Sequence, residues 1–371
     1  MKIVMFGHKR IPSREGGVEI VVEELSTRMV ALGHDVVCYN RAGHHVSDRE
    51  YDVKKIKQYK GVKIKTVPTV DKKGLAAVTS SFFAAIRCIF SSAQVVHIHA
   101  EGPAFMCLLP KLFGKKVIVT VHGLDWQRDK WKSGFASKYI RMGEKAAVKH
   151  ADEIIVLSKS VKDYFKQHYA RETVYIPNAV KRPCICEPQL ITEKFGLMKD
   201  GYILFLGRLV PEKGVHLLID AFKKTNTDKK LVIVGGTSDT DTYVDQLMQS
   251  ANEDDRIIFP GFAQGKLLEE FYSNAYLYVL PSSLEGMPLS LLEAMSFGNA
   301  CVVSDIPECT DVVEDKAIVV KPQADELQRC IQSLCDDEKE VAKYKAAAAD
   351  FICEKYNWDD VVSRTIELYE K

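Results

Sequence analysis

The chain has no excess of charge of either sign. Its 51 Lys and Arg residues face 50 Asp and Glu, leaving a formal charge of +1 over 371 residues. Proteins that grip the phosphate backbone of nucleic acid carry a marked basic excess, so the balance argues against that class of partner. A long apolar run is also missing. The longest nearly uncharged stretch, 74–93, is interrupted by Arg87 and contains Thr79, Ser80, Ser81, Ser91 and Ser92. It reads as a buried or interfacial helix, not a membrane span. MKIVMFG is too short for the apolar centre of a secretory leader and reads as a first strand. The ten cysteines are scattered, mostly in apolar runs such as VVCYN and AIRCIF, and Cys184-Ile185-Cys186 has no second pair at zinc-ligand spacing. Reduced thiols in a cytoplasm are the simplest reading. A G-x-G-x-x-G dinucleotide fingerprint is absent as well.

What is present is alternation. Short β-branched runs (KIVMF, DVVCY, VKIKTV, QVVHIH, KVIVTV, EIIVLS, TVYI) recur between helical patterns. Such alternation builds parallel sheet with crossover helices. The pattern lapses between Pro177 and Asp200, where Pro183 and Pro188 break the chain, then restarts with YILFLG, LVIVGG, RIIFPG, AYLYVLP, ACVVS and AIVV. A chain this long accommodates two domains. Two Rossmann-like α/β domains, 1–178 and 179–356, are expected, with an amphipathic segment over about 357–371 packing back on the first. Ligands bind such doubly wound sheets at the carboxyl ends of the strands, so a cleft faced by both domains is the expected site.

Each half opens with a strand, a glycine and a loop reaching a further glycine at a helix start: IVMFGHKRIPSREGGVEI and ILFLGRLVPEKGVHLL. In the second copy Arg208 and Lys213 follow the strand, and an Arg fork with a Lys point charge neutralises a diphosphate without metal. Gly235 and Gly236, after LVIV, mark another strand end that backbone or ligand can approach closely. In SSLEGMPLSLLEAM, Pro288 suits the first helical position, and Leu289, Leu291, Leu292 and Met295 are apolar at helical spacing. The amides at that helix start attract anions. The carboxylates beside them, Glu285 in the loop and Glu293 in the helix, suit hydroxyl donors instead. Glu293 would take a ribose diol and Glu285 a sugar hydroxyl, as a nucleotide sugar requires.

The combination of GGVE, VHIH and TVHG in the first half with GRLVPEKG and SSLEGMPLSLLEAM in the second resembles family four of the retaining glycosyltransferases, whose fold is called GT-B. The likeness spans essentially the whole chain, and its most specific element is the pair Glu285 and Glu293 with seven residues between them. It implies two Rossmann-like domains and a nucleotide sugar bound by the second, with no divalent metal or other cofactor. It further implies that Arg208 and Lys213 hold the diphosphate and stabilise it as it leaves. Glu293 would bind the ribose and Glu285 the donor sugar, with Gly286, Met287, Pro288 and Leu289 lining sugar and phosphates. Gly16 and Gly17 match the glycine loop that approaches the donor phosphate or acceptor, and His122 matches the active-site histidine near the donor sugar.

His97 and His99 share one face of a strand, and His99, nearer its end, either lines the acceptor side or is bonded in the core. Trp126, Arg128 and Trp131 form an aromatic and cationic loop suited to sugar rings and phosphates, unless the tryptophans only pack that loop down. This loop resembles a subset of the family acting in bacterial polysaccharide assembly, among them rhamnosyl-, galactosyl- and glucosyltransferases. A lysine-rich run (Lys54, Lys55, Lys57, Lys60, Lys63, Lys65, Lys72, Lys73) precedes an apolar helix carrying Phe82, Phe83, Ile86, Ile89 and Phe90. Such a pairing suits an anionic membrane face and a lipid-linked glycan acceptor, and so a cytoplasmic enzyme at the inner face of the plasma membrane. The expected function is retaining transfer of a hexose-type sugar, from a uridine diphosphate sugar by family frequency, to a hydroxyl of a glycan or lipid-linked glycan. Two rivals are a nucleotide-sugar epimerase of related fold and a non-catalytic partner module.

Overall fold

The computed structural model describes residues 1–43, 56–70, 72, 74–127, 134–236 and 241–371. The chain divides into two compact units, Met1–Asn178 with Trp358–Lys371 and Ala179–Asn357.

In the first unit the strands are β1 (Lys2–Phe6), β2 (Asp35–Arg41), β3 (Gln58–Tyr59), β4 (Val62–Val67), β5 (Val95–His99), β6 (Lys116–Val121), β7 (Glu153–Val156) and β8 (Val174–Tyr175). They form one sheet in the order β3-β4-β2-β1-β5-β6-β7-β8, parallel except for the short β3. β1 and β5 are buried on both faces, as their near-continuous apolar runs require. The order reverses between β1 and β5, so the loops leaving these two strands part there. Helix Trp358–Glu370 belongs to this unit. Asp359 lies 3.4 Å from Arg28 of helix Gly17–Ala31, and Arg364 reaches the carbonyl of Tyr175 at 2.5 Å.

In the second unit β9 (Tyr202–Leu206), β10 (Lys230–Val234), β11 (Ile257–Gly261), β12 (Leu277–Leu280), β13 (Ala300–Ser304) and β14 (Ile318–Val320) form an all-parallel sheet in the order β11-β10-β9-β12-β13-β14. The reversal falls between β9 and β12. Tyr202 and Tyr278 are buried in this core, their hydroxyls bonded to Phe271 carbonyl and Ser290 hydroxyl at 2.8 and 2.9 Å.

One boundary departs from expectation. Helix Leu289–Ser296 begins after Pro288, which stands outside it as the N-cap with φ −76° and ψ 103°. The proline ring fixes φ but leaves ψ extended, and its carbonyl accepts the first helical bonds from Leu291 and Leu292 at 3.1 and 3.3 Å.

Candidate functional site

Loops 207–214 and 281–288 leave the carboxyl ends of β9 and β12, at the switch point of the second sheet, where doubly wound folds bind ligands. They touch backbone to backbone. Gly214 has φ +68°, and a Cβ there would lie 2.2 Å from the carbonyl oxygen of Pro281. The Ser283 amide donates to the Glu212 carbonyl at 2.9 Å. Gly235, after β10, comes equally close to loop 207–214, since its Cβ would stand 1.8 Å from the carbonyl oxygen of Gly207. Glycine alone permits these approaches.

On this frame Lys213 Nζ donates to Glu285 Oε1 at 2.5 Å, with side chains only 12% and 7% exposed. The sequence assigns these two residues to different substrate groups, and the structure joins them in one ion pair. Arg208 shares the loop with Lys213 and is half-buried. Gly286, Met287, Pro288 and Leu289 are all buried, and helix Leu289–Ser296 starts without a side-chain cap. Its first turn is therefore a place for an anion. Glu293, in the middle of that helix, accepts from Tyr272 Oη at 3.2 Å. Tyr272 stacks on Phe297, with ring centroids 5.3 Å apart. Sequence reasoning missed Tyr272, because nothing in FYSNAY marks one tyrosine as the partner of a carboxylate.

In the first unit Gly16 is the extended N-cap of helix Gly17–Ala31, again with no side-chain cap. Beside it Glu19 Oε1 accepts the Lys9 amide at 2.8 Å. His122 follows β6 and pairs its Nε2 with Nδ1 of His99 at 3.1 Å. His99 is fully buried and forms part of a bonded histidine group rather than an exposed lining. Burial lowers the His97 pKa to about 3 and holds that of His99 well below the usual histidine value, so both rings are neutral.

The Trp126 indole N–H donates to Glu144 Oε2 at 3.1 Å, and Arg141 lies over its ring at 4.2 Å. Glu144 also accepts from Tyr164, at 3.0 Å, and from Tyr169. Glu101 accepts the Asp125 amide at 2.8 Å, and burial beside Asp125 and Glu144 pushes its pKa well above the carboxylate range. These bonds pin Trp126 down, which is the packing alternative for that residue. Arg128 and Trp131 lie outside the described residues.

With this geometry in view, two family models match the chain: Glycosyltransferase Family 4 over residues 15–182 and Glycosyl transferases group 1 over residues 189–351. The chain therefore belongs to the group 1, family-four glycosyltransferases, and it is an enzyme of that class. The glycosyltransferase YqgM of Bacillus subtilis (strain 168) is 26% identical over 79% of this chain and 83% of its own length. O-antigen chain mannosyltransferase B of Escherichia coli is 30% identical over 53% of this chain and 51% of its own length. Sucrose-phosphate synthase from Thermosynechococcus elongatus superposes with a TM-score of 0.82 at 21% identity, covering 100% of this chain and 98% of that one. Anabaena HepE in complex with UDP-glucose superposes with a TM-score of 0.81 at 16% identity, covering 99% and 98%. These likenesses establish the GT-B fold.

Proposed function

We propose that the protein transfers a hexose-type sugar from a nucleoside diphosphate sugar, uridine diphosphate favoured, to a hydroxyl of a glycan or lipid-linked glycan, with retained anomeric configuration and no divalent metal. The observation that carries this is the Lys213–Glu285 pair on two loops locked together at the switch point, beside an uncapped helix start and Arg208. A departing diphosphate gains negative charge as the glycosidic bond breaks, so Arg208 and Lys213 act more strongly on the transition state than on the bound donor. Glu285 accepts hydrogen bonds from the donor sugar, Glu293 from the ribose, and His122 meets the sugar. Among the described residues no carboxylate stands out as a nucleophile for a covalent intermediate. The family resemblance implies a front-face displacement, in which the leaving diphosphate helps accept the proton of the incoming hydroxyl. The printed ligand of HepE, UDP-glucose, supports the donor class, and the O-antigen mannosyltransferase supports a polysaccharide product. Isothermal calorimetry against uridine, guanosine and thymidine diphosphate sugars, with chelator present, tests it. Selective binding of one nucleotide supports the reading, and a folded protein that binds none contradicts it.

The same reading places the acceptor on a lipid at an anionic membrane face. No helix among the described residues is long and apolar enough to cross a membrane, so the contact is peripheral. Helix Leu75–Ile89 exposes Leu75, Phe82 and Phe83 and ends at Phe90, 84% exposed. Helix Leu108–Leu112 packs beside it and adds Leu112 and Phe113, 68% and 59% exposed. From Lys72 to Leu124 the one acidic residue is Glu101, which is buried. Apolar surface with neighbouring cations suits anionic lipid, although Lys111 of the second helix pairs with Asp152. Lys54, Lys55 and Lys73 lie outside the described residues, so the support rests on these two helices. Sedimentation with phosphatidylglycerol vesicles, and not with phosphatidylcholine vesicles, is expected, lost in F90S/L112S. Binding indifferent to anionic lipid and to salt contradicts it.

A further inference from the structure

The proposed transfer uses one histidine of a group at the carboxyl edge of the first sheet. His97 Nδ1 lies 2.6 Å from Tyr369 Oη of helix Trp358–Glu370, and its Nε2 lies 2.7 Å from Thr120 Oγ1. The ring of His97 stacks on that of His99 with centroids 4.2 Å apart. His99 Nδ1 lies 3.1 Å from His122 Nε2, while His99 Nε2 is buried without a hydrogen-bond partner. His8, bonded to Asn40 at 3.1 Å, is the further histidine electrically close to His99.

A neutral imidazole carries one N–H. With its hydrogen on Nε2, His99 would bury a donor with nothing to receive it. With its hydrogen on Nδ1, the donor is used and only a lone pair is left over. Buried donors without partners are the rarer case in folded proteins. The hydrogen of His99 is thus assigned to Nδ1, directed at His122 Nε2, and the hydrogen of a neutral His122 must then sit on Nδ1.

We propose that His99 is a positioning residue: it donates to His122 and thereby fixes both the ring orientation and the Nδ1–H tautomer of His122, with His97 and Tyr369 bracing His99 from behind. This rests on the reading of His122 as a residue that meets the donor sugar. His122 Nε2 is occupied by a donated hydrogen and resists protonation, so transfer persists at lower pH than a freely titrating histidine would allow. Among the described residues, His97 and His8 are the titratable groups electrically close to His99 besides His122, and both are kept neutral by burial, with Tyr369 behind His97.

The test is nitrogen NMR of the histidine side chains in the full chain, run on the natural protein, His99→Asn and His99→Leu, with initial rates against pH. The asparagine amide N–H can stand where Nδ1–H stood, and leucine supplies no donor. The expected result is a His122 ring protonated at Nδ1 in the natural protein and in His99→Asn, and released from that form in His99→Leu. In His99→Leu kcat falls about tenfold with KM little changed, and the acid limb of the rate moves to higher pH; His99→Asn restores both. A His122 protonated at Nε2 in the natural protein, or one tautomer in all three proteins, overturns the proposal. Should His99→Leu fail to fold, the natural tautomer and His99→Asn still decide it. Transfer that survives His122→Ala would remove the catalytic reading of His122, and the NMR result would stand apart from it.

Discussion

Lys213 Nζ stands 2.5 Å from Glu285 Oε1, a pair separated by 72 residues of sequence and largely shielded from water. Each group neutralises the other before any substrate arrives, so the site has both a cation for phosphate and an acceptor for hydroxyls without an isolated buried charge.

Replacing Lys213 by Ala should therefore lower turnover about a hundredfold, and donor affinity much less, because the cation acts chiefly on the departing diphosphate. Glu285 would then stand partly buried and alone, so K213A should also melt earlier than K213A/E285Q. Single-turnover rates and thermal melts of the three proteins check this, and unchanged turnover in K213A would refute the assignment.

Glu293 is held by Tyr272 at 3.2 Å. If it grips the ribose diol, E293A should weaken nucleoside diphosphate binding about tenfold, and Y272F should weaken it less, since the carboxylate survives there with one support removed. Calorimetry with the nucleotide alone separates the two. Equal affinity in all three proteins would place the ribose elsewhere.

The close backbone contacts predict a stability effect apart from chemistry. Gly214→Ala combines φ +68° with a Cβ 2.2 Å from Pro281 carbonyl oxygen, and Gly235→Ala sets a Cβ 1.8 Å from Gly207 carbonyl oxygen. Each should destabilise the second unit by about 2 kcal/mol or more, read as an earlier urea midpoint. A midpoint at the natural value would show that the loops yield without cost.

Much of this site was legible because its residues sit at strand ends followed by glycine, a pattern local in sequence. GRLVPEKG and SSLEGMPLSLLEAM each announce a strand, a turn and a helix start. The pairing of Lys213 with Glu285, the bond from Tyr272 to Glu293 and the bracing of His97 by Tyr369 were not legible. Each joins residues brought together only by strand order, and no spacing encodes them. Pro288 was placed one position too far into its helix because its ring restricts φ and says nothing of ψ. For Trp126 the sequence leaves a stacking platform and a packing role both open, since it does not show that Glu144 takes the indole N–H.

Stability should fall on mild acidification. Burial lowers the pKa of His8 to about 4 and of His97 to about 3, and lowers that of His99 as well, while unfolded histidines bind protons near 6.5. Folded pKa values below the unfolded ones mean stability that is full above about pH 6.5 and lost as pH falls from there. Glu101 works oppositely above about pH 4.5, because its folded carboxyl keeps a proton that the unfolded one releases. Three histidines that take up protons on unfolding outnumber the one carboxyl that releases one, so the net effect is a loss of stability as pH falls from about 6.5 toward 4.5. Urea unfolding at pH 7.5, 6 and 5 should show the first unit weakening over that range, and a flat profile would contradict the neutral histidines.

Transfer of a sugar from a nucleoside diphosphate with its configuration kept is read from the anomeric proton of the first-formed product. The protein would be given the nucleotide sugar selected by calorimetry, with water or glycan as acceptor, and followed by NMR before mutarotation. A first-formed product with the donor's own anomeric configuration is the predicted result. An inverted product would contradict the account.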